Sequence, residues 1–368
     1  MRIALVHPHS WPDVRRGAER YVADLAWYLA RADQEVDVIT GTLEAPSVTS
    51  VDGTTIRRRR HLTLPMLSER FTPTEMFGAV ALSALLRRRY DVVHAFTPTC
   101  AIAGVMARQR TVYTELGHPT DPRRVQRRRA WHAAVRRSDA VTALSSSAAE
   151  SIRALSGRKP DVLRPGTRLD AFAPDLAPRT GPLRVLFSGT LDAGYKGLPA
   201  LMRAFELLLA RQPDARLRLS GSGDHTWALR RAGVTPATEA AIDVLGVGGL
   251  EELPDRYRSA SMTVLPSTNE AFGLVLVESL ACGTPVVCVA GAGSEEVIDD
   301  PAVGRAVVRR DPALIADAIE EVAVLAADPM TPARCRAHAE RFSWDALGPQ
   351  HLELYEDVAQ RSTAWWRR

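Results

Sequence analysis

The sequence predicts an α/β protein built from two doubly wound domains. Three observations predict it. The 368 residues exceed the size at which a single hydrophobic core keeps growing. Short apolar strands alternate with stretches of helical periodicity through both halves of the chain. Between the halves, residues 170–182 lose periodicity and collect Pro174, Pro178, Gly181 and Pro182, the composition of a linker.

The first strand is Ile3 to Val6, followed by a polar loop ending at Gly17. Tyr21, Val22, Leu25 and Leu29 then recur at helical spacing, and a second strand covers Val36 to Ile39. This strand, loop, helix, strand unit places its helix on one face of a parallel sheet. Strands at Asp91 to Ala95, Thr111 to Thr114 and Ala140 to Leu144 continue the pattern. After the linker, strand Arg184 to Phe187 precedes a helix with Leu198, Leu201, Phe205 and Leu208 on one face, and strand Arg216 to Leu219 precedes a Gly-Ser-Gly loop. Ile242 to Leu245, Met262 to Leu265 and Pro285 to Val289 read as three further buried strands. From Trp344 the chain reads as one or two helices ending in Trp365 and Trp366, a terminal element expected to pack back on the molecule or to present a tip to a partner or membrane. The expected organisation is residues 1–172, residues 173–345 and a closing helix at 346–368.

Composition narrows the function classes. Hydrophobic residues make up 46% and charged residues 24%, which are globular values and exclude a disordered chain. The apolar stretch Ile3 to Val6 is too short for a signal peptide, and no segment approaches the apolar length of a membrane span, so a cytoplasmic location is expected. Cys100, Cys282, Cys288 and Cys335 lack metal-ligand spacing and are expected as buried free thiols. Charge is asymmetric, with a net of +9 over residues 1–175 against −5 over the remainder. The excess lies in Arg57 to Arg60, Arg87 to Arg89, Arg123/Arg124, Arg127 to Arg129 and Arg136/Arg137. Two readings remain open: solvated helix faces and loops, or a basic face for an anionic acceptor or peripheral membrane contact. Aromatic residues are not interleaved with these clusters, which argues against nucleic acid. Only Lys159 and Lys196 are lysines, so a lysine inside a motif invites explanation.

In doubly wound sheets ligands bind beyond the carboxyl ends of the strands, so the loops that follow strands carry the information. The richest is PSTNEAFGLVLVESLACGTPVV after Leu265. Glu270 lies in the loop, and Gly273 delivers the chain into a helix whose free amides and positive dipole end suit a phosphate. Glu278 lies five residues beyond Gly273, roughly 7.5 Å up the helix axis. That rise matches the offset between a diphosphate and its ribose, whose hydroxyls a carboxylate accepts. Glu278 also sits among apolar neighbours, where a carboxylate needs a partner. Taken singly, each glutamate reads equally well as a helix-start or surface residue.

The whole stretch resembles the signature of family 4 glycosyltransferases, retaining enzymes of the GT-B fold, with two glutamates separated by seven residues and followed by Gly-Thr-Pro-Val-Val. Further matches run along the chain: RRGAERYVADLAWYLA, FSGTLDAGYKG, LSGSGD, GAGSEEVI and SWDALGPQHLELY. The resemblance implies two Rossmann-like domains facing across a cleft, with the closing helix returning to the first. It implies a UDP- or GDP-type hexose donor bound mostly by the second domain and an acceptor on the first, whether natural product, glycan or lipid carrier. Lys196 matches the lysine that holds the donor diphosphate, and Glu270 the carboxylate near the sugar. His118 falls where the family often has a sugar-contacting histidine. Donor-binding positions are expected at Arg16, Gly17, Gly189, Thr190, Gly221, Gly223, Ala271, Phe272, Gly273, Leu274 and Glu278.

Three departures stand against the family pattern. Thr190 occupies the position of an arginine that would share the diphosphate with Lys196. Arg16-Gly17 replaces a pair of glycines, and Arg16 is a candidate to reach the phosphates instead. Pro165-Gly166-Thr167-Arg168 replaces the usual start of the linker. No Asp-x-Asp motif sits between buried strands, so no metal or other cofactor is expected; for the retaining class a covalent glycosyl-enzyme on a carboxylate nucleophile and a front-face attack compete, and front-face attack with Glu270 as a positioning group is favoured. The alternatives are a sugar-nucleotide epimerase, which would convert donor without acceptor, and a non-catalytic nucleotide-sugar-binding protein.

Overall fold

The computed structural model describes residues 1–61, 72–119, 129–175 and 181–361. The chain divides into two compact units, one formed by Met1–Gly166 with the segment from Trp344, the other by Thr167–Ser343.

The first unit opens with β1 (Arg2–Val6), α1 (Gly17–Arg31) and β2 (Glu35–Thr42). There follow β3 (Ser47–Val51), β4 (Thr54–Arg60), α2 (Pro73–Leu85), β5 (Val92–Ala95) and α3 (Pro98–Met106). The unit continues with β6 (Thr111–Glu115), α4 (Arg129–Arg137), β7 (Ala140–Ala143), α5 (Ser146–Ser156) and β8 (Asp161–Val162). The described strands form one sheet in the order β3-β4-β2-β1-β5-β6-β7-β8, parallel except for β3 against β4. The order reverses between β1 and β5, which makes the loops after these two strands the crevice of the unit. Helix starts follow local chemistry. Thr72 and Glu75 form a reciprocal capping box before α2, and Ser145 accepts the Ala148 amide before α5.

The arginine run Arg57 to Arg60, a charge cluster by composition, is strand β4. Arg57 Nε lies 2.8 Å from the buried Asp37 carboxylate, Arg88 pairs with Glu35 and Asp37, and Arg58 reaches Asp13. These guanidiniums tie β4 and the segment after α2 to β2 and to the loop after β1. Arg123, Arg124, Arg127, Arg128, Trp365 and Trp366 lie outside the described residues. All four cysteines are buried free thiols, and burial pushes those of Cys100 and Cys288 up to about 12. Among the described residues no helix is long and apolar enough to cross a membrane.

The second unit contains β9 (Arg184–Ser188), α6 (Leu198–Leu209), β10 (Arg216–Ser220), α7 (His225–Ala232), α8 (Pro236–Ala240) and β11 (Ile242–Gly246). These are followed by α9 (Leu253–Arg258), β12 (Met262–Leu265), α10 (Leu274–Ala281), β13 (Val286–Val289), β14 (Gly304–Val307), α11 (Pro312–Ala327) and α12 (Thr331–Glu340). Its strands form an all-parallel sheet in the order β11-β10-β9-β12-β13-β14, reversing between β9 and β12. Val185, Phe187, Leu217, Leu219, Val264 and Val287 pack against the apolar faces of α6 and α11. The Ile242–Leu245 strand departs from the expectation of burial. As β11 it closes the edge of the sheet, pairs with β10 alone and leaves Val244 47% exposed.

The division between units falls at Gly166/Thr167, six residues before the expected boundary. Thr167 donates its amide to the Phe342 carbonyl at 2.8 Å, Arg336 donates to the carbonyls of Leu169 and Phe172, and Phe172 is buried. The backbone of 167–172 is thus satisfied by the second unit. The last helix, α13 (Trp344–Gln360), begins where the helical pattern starts, two residues before the expected bound at 346. The Trp344 ring stacks on Tyr21 and Tyr28 of the first unit, 6.1 and 5.5 Å between centroids. Deeper in that unit, His351 accepts from the Tyr21 hydroxyl at 3.0 Å, and the His94 Nδ1 lies 2.6 Å from the Tyr355 hydroxyl.

Candidate active site

The reversal between β9 and β12 places the loops after these strands side by side, and both are rich in polar and glycine residues. After β9 the chain runs through Gly189 and Thr190 to a 3-10 turn, Gly194–Lys196, and enters α6 at Gly197. After β12 it runs from Pro266 to Gly273 and enters α10.

Backbone bonds fix these loops to one another. The Gly189 amide donates to Ser220 O at 2.9 Å, and Leu191 to Ser222 O at 2.8 Å. Thr268 donates to Tyr195 O at 3.2 Å, and Gly293 to Glu270 O at 2.9 Å. The contact between the β9 and β10 loops is so close that a Cβ at Gly221, where φ is +148°, would lie 1.8 Å from Gly189 O. At Gly223 an added Cβ would lie 2.6 Å from the Asp192 carboxylate. Two guanidiniums complete the frame. Arg310 donates to the carbonyls of Gly194 and Tyr195, and Arg256 to Ser220 Oγ and Gly246 O.

Within this frame Lys196 Nζ donates to Glu270 Oε2 at 2.6 Å, both side chains about 15% exposed at most. Burial opposes the Lys196 charge, but the Glu270 carboxylate and its hydrogen bond outweigh it, and the ammonium is held above its ordinary range. The pair joins residues 74 apart in sequence. Ala271 and Phe272 are buried, the latter with its ring 5.8 Å from Phe342, so they offer the site backbone rather than side chains. Gly273 adopts φ +96° as the N-cap of α10, and no side chain caps that helix start. Leu274 is its first helical residue. Ser267, fully buried in the same loop, has a hydroxyl with no hydrogen-bond partner among the described residues.

Glu278 is 5% exposed on α10, and the Tyr257 hydroxyl donates to its Oε2 at 2.7 Å. The carboxylate that sequence reasoning left in search of a partner therefore has one, from α9. Sequence reasoning missed Tyr257, Arg256 and Arg310. For Tyr257 a signal existed: a buried phenol needs a polar partner, and Glu278 needs one too.

The structure gathers Lys196, Glu270, Gly189, Thr190, Gly221, Gly223, Ala271, Phe272, Gly273, Leu274 and Glu278 at the carboxyl end of the second sheet. Arg16, Gly17 and His118 belong to the first unit. Gly17 is the first residue of α1 and Arg16 its N-cap, with Nη2 3.1 Å from the buried Glu19. His118 follows β6, and neither of its ring nitrogens has a hydrogen-bond partner among the described residues. Burial lowers its basicity. In the crevice of the first unit, His7 Nδ1 lies 2.7 Å from His9 O, and burial lowers His7 as well.

Comparison with known proteins places the chain in a family. Residues 15–171 match the model described as Glycosyltransferase Family 4, and residues 182–323 the model described as Glycosyl transferases group 1. Named D-inositol 3-phosphate glycosyltransferases are 30% identical to the chain. That of Geodermatophilus obscurus aligns over 99% of this chain and 91% of its own, and that of Xylanimonas cellulosilytica over 99% and 98%. Among solved structures, sucrose-phosphate synthase from Thermosynechococcus elongatus superposes with a TM-score of 0.81 at 23% identity, covering 97% of this chain and 99% of that one. Anabaena HepE in complex with UDP-glucose superposes with a TM-score of 0.73 at 19% identity, covering 97% and 100%. The chain belongs to glycosyltransferase family 4 and has the GT-B fold.

Proposed function

We propose that this glycosyltransferase moves a hexose from a UDP- or GDP-type nucleotide sugar to an acceptor hydroxyl with retention of anomeric configuration. The observation that carries the reading is the Lys196–Glu270 pair, 2.6 Å apart where the β9 and β12 loops meet. It sets a cation for the diphosphate beside a carboxylate for the sugar. An ammonium has three donors, so Lys196 holds the departing diphosphate while still bonded to Glu270. The uncapped amides at Gly273 and Leu274 add donors for the same phosphates, and Glu278 takes the ribose hydroxyls. The similarity to HepE, whose structure contains UDP-glucose, supports a nucleotide-sugar donor.

In the proposed reaction the acceptor oxygen attacks the anomeric carbon on the face from which the diphosphate departs. The C–O bond to phosphate breaks, and the hydroxyl proton passes to a phosphate oxygen of the leaving group. Glu270 orients sugar hydroxyls, His118 accepts or donates one hydrogen bond to the sugar, and leaving-group charge is met by Lys196 and loop amides without a metal. Arg16 is the proposed substitute for the cation missing at Thr190, and the acceptor is a natural product, glycan or lipid carrier held by the first unit.

The test is incubation with pooled nucleotide sugars and cell extract, followed by product identification and proton NMR of the new linkage. An α-linked product from an α-linked donor is expected, with turnover unchanged in chelator. An inverted linkage, manganese-dependent turnover, or donor epimerised without acceptor would each overturn the corresponding part. Nucleotide-sugar binding without turnover on any acceptor would favour the non-catalytic alternative.

A further inference from the structure

We propose that Tyr257 is a positioning residue for nucleotide recognition: its phenol fixes the Glu278 carboxylate and so sets the preference for a ribose over a 2′-deoxyribose in the donor. The inference rests on the assignment of Glu278 to the ribose.

The placement of Tyr257 follows from local structure. It lies near the end of α9, is fully buried, and its ring is 6.1 Å from that of Phe172. Its carbonyl accepts from the Thr284 hydroxyl at 2.9 Å, which ties α9 to the end of the glutamate helix. The phenol therefore has little freedom, and its position is set before any ligand arrives. From there Oη lies 2.7 Å from Glu278 Oε2 and 3.4 Å from Ser188 Oγ, the last residue of β9. Tyr257 thus spans from the carboxyl end of the central strand to the glutamate, across the point where the sheet reverses.

Glu278 has three side-chain torsions, and a carboxylate that is to accept two neighbouring ribose hydroxyls must hold one plane. Fixing that plane in advance avoids paying rotamer entropy when the nucleotide binds. A tyrosine can do this because it donates one hydrogen bond and brings no positive charge to the site. An arginine at the same place would hold the group equally well but neutralise it. A carboxylate held for two hydroxyls discriminates against a sugar that lacks one, because the desolvated oxygen loses its donor.

Binding calorimetry tests this without knowledge of the acceptor. The probes are UDP and GDP, each as the ribonucleotide and the 2′-deoxyribonucleotide, against the full chain, Tyr257→Phe, Glu278→Gln and the double variant. The wild type is expected to bind a ribonucleotide at least tenfold more tightly than its deoxy form. In Tyr257→Phe that ratio should fall about tenfold, mostly through weaker ribonucleotide binding. In Glu278→Gln it should collapse, and the double variant should fall no further. A tyrosine that only stabilised the fold would weaken both forms alike and leave the ratio unchanged, which would overturn the inference. If Glu278→Gln lowers the ratio and Tyr257→Phe does not, the ribose assignment stands and the positioning role falls. If Glu278→Gln leaves the ratio unchanged, the ribose assignment falls, and the inference with it. If the wild type binds neither nucleotide, the donor-site reading itself fails. Should Tyr257→Phe lack a wild-type melting transition, Tyr257→Met fills similar volume without a donor and takes its place.

Discussion

Replacement of Lys196 by methionine tests the central pair directly. Lys196 Nζ lies 2.6 Å from Glu270 Oε2, with side-chain exposures of 15% and 14%. Methionine keeps most of the volume and removes the charge, leaving the Glu270 carboxylate largely desolvated without its partner. Removal of one member of a buried pair costs about 3–5 kcal/mol, and residual exposure places this pair near the lower end, at about 3 kcal/mol. A unit of this size loses roughly 2–4 °C of melting temperature per kcal/mol, so a fall of about 6–12 °C is expected for the transition of the second unit. Lys196→Met/Glu270→Gln leaves two neutral groups and should recover most of that loss, whereas uncoupled residues would give additive losses. Calorimetric scans of the wild type, both single variants and the double variant supply the measurement. Because the pair is mostly buried, the coupling should persist in 0.5 M salt. A melting temperature unchanged in Lys196→Met, or a double variant as unstable as the sum of the singles, would refute the reasoning. Turnover should behave differently from stability. The double variant stays slow, by about 10²-fold or more, because the leaving-group cation is gone.

Two further outcomes follow from the structure. His351 is fully buried, and burial, only partly opposed by its bond to the Leu347 carbonyl, lowers it to about 4; burial lowers His94 as well. The unfolded chain binds the proton near pH 6.5 and the folded chain does not, so stability is complete above about 6.5 and is lost as pH falls toward 4. His351 alone accounts for about 3 kcal/mol over that window, and denaturant midpoints measured between pH 7.5 and 4.5 should fall accordingly; a flat profile would contradict neutral burial. In Gly221→Ala the new methyl meets Gly189 O at 1.8 Å, backbone against backbone. The loops after β9 and β10 must separate, with about 3 kcal/mol of destabilisation and, under the proposed donor site, loss of UDP binding by calorimetry, while Gly233→Ala, where nothing lies within 4 Å, should retain binding.

The sequence made the fold legible where burial is two-sided. Runs such as IALV and VVCV read as buried strands and lie in the interior of their sheets, whereas the order of the strands came from the structure. It was less informative where a strand's partners are distant. TTIRRRR is β4, paired on both sides, yet its arginines read as a charge run because their ion-pair partners, Asp37 and Asp13, come from elsewhere in the chain. The edge strand Ile242–Gly246 erred in the opposite sense, since apolar residues do not reveal whether a second neighbour exists. In the site, the loop residues were visible through glycine and charge. The side chains that hold them were not: Arg310 meets Gly194 from 116 positions away, and Tyr257 meets Glu278 from 21. Local periodicity has no means of encoding such separations.

These holding contacts also bear on the missing arginine at Thr190. Among the described residues Arg256 and Arg310 bond the loops after β9, β10 and β11, and both are committed to the frame. Arg256 bonds Ser220 Oγ and the carbonyls of Leu245 and Gly246, and Arg310 bonds the carbonyls of the turn that carries Lys196. Moving either toward a diphosphate would strip carbonyls of their donors and loosen the geometry on which Lys196 depends. A cation supplied by the second unit in place of the missing arginine would thus weaken the first cation. Neither guanidinium of this frame is therefore free to stand in for an arginine at Thr190.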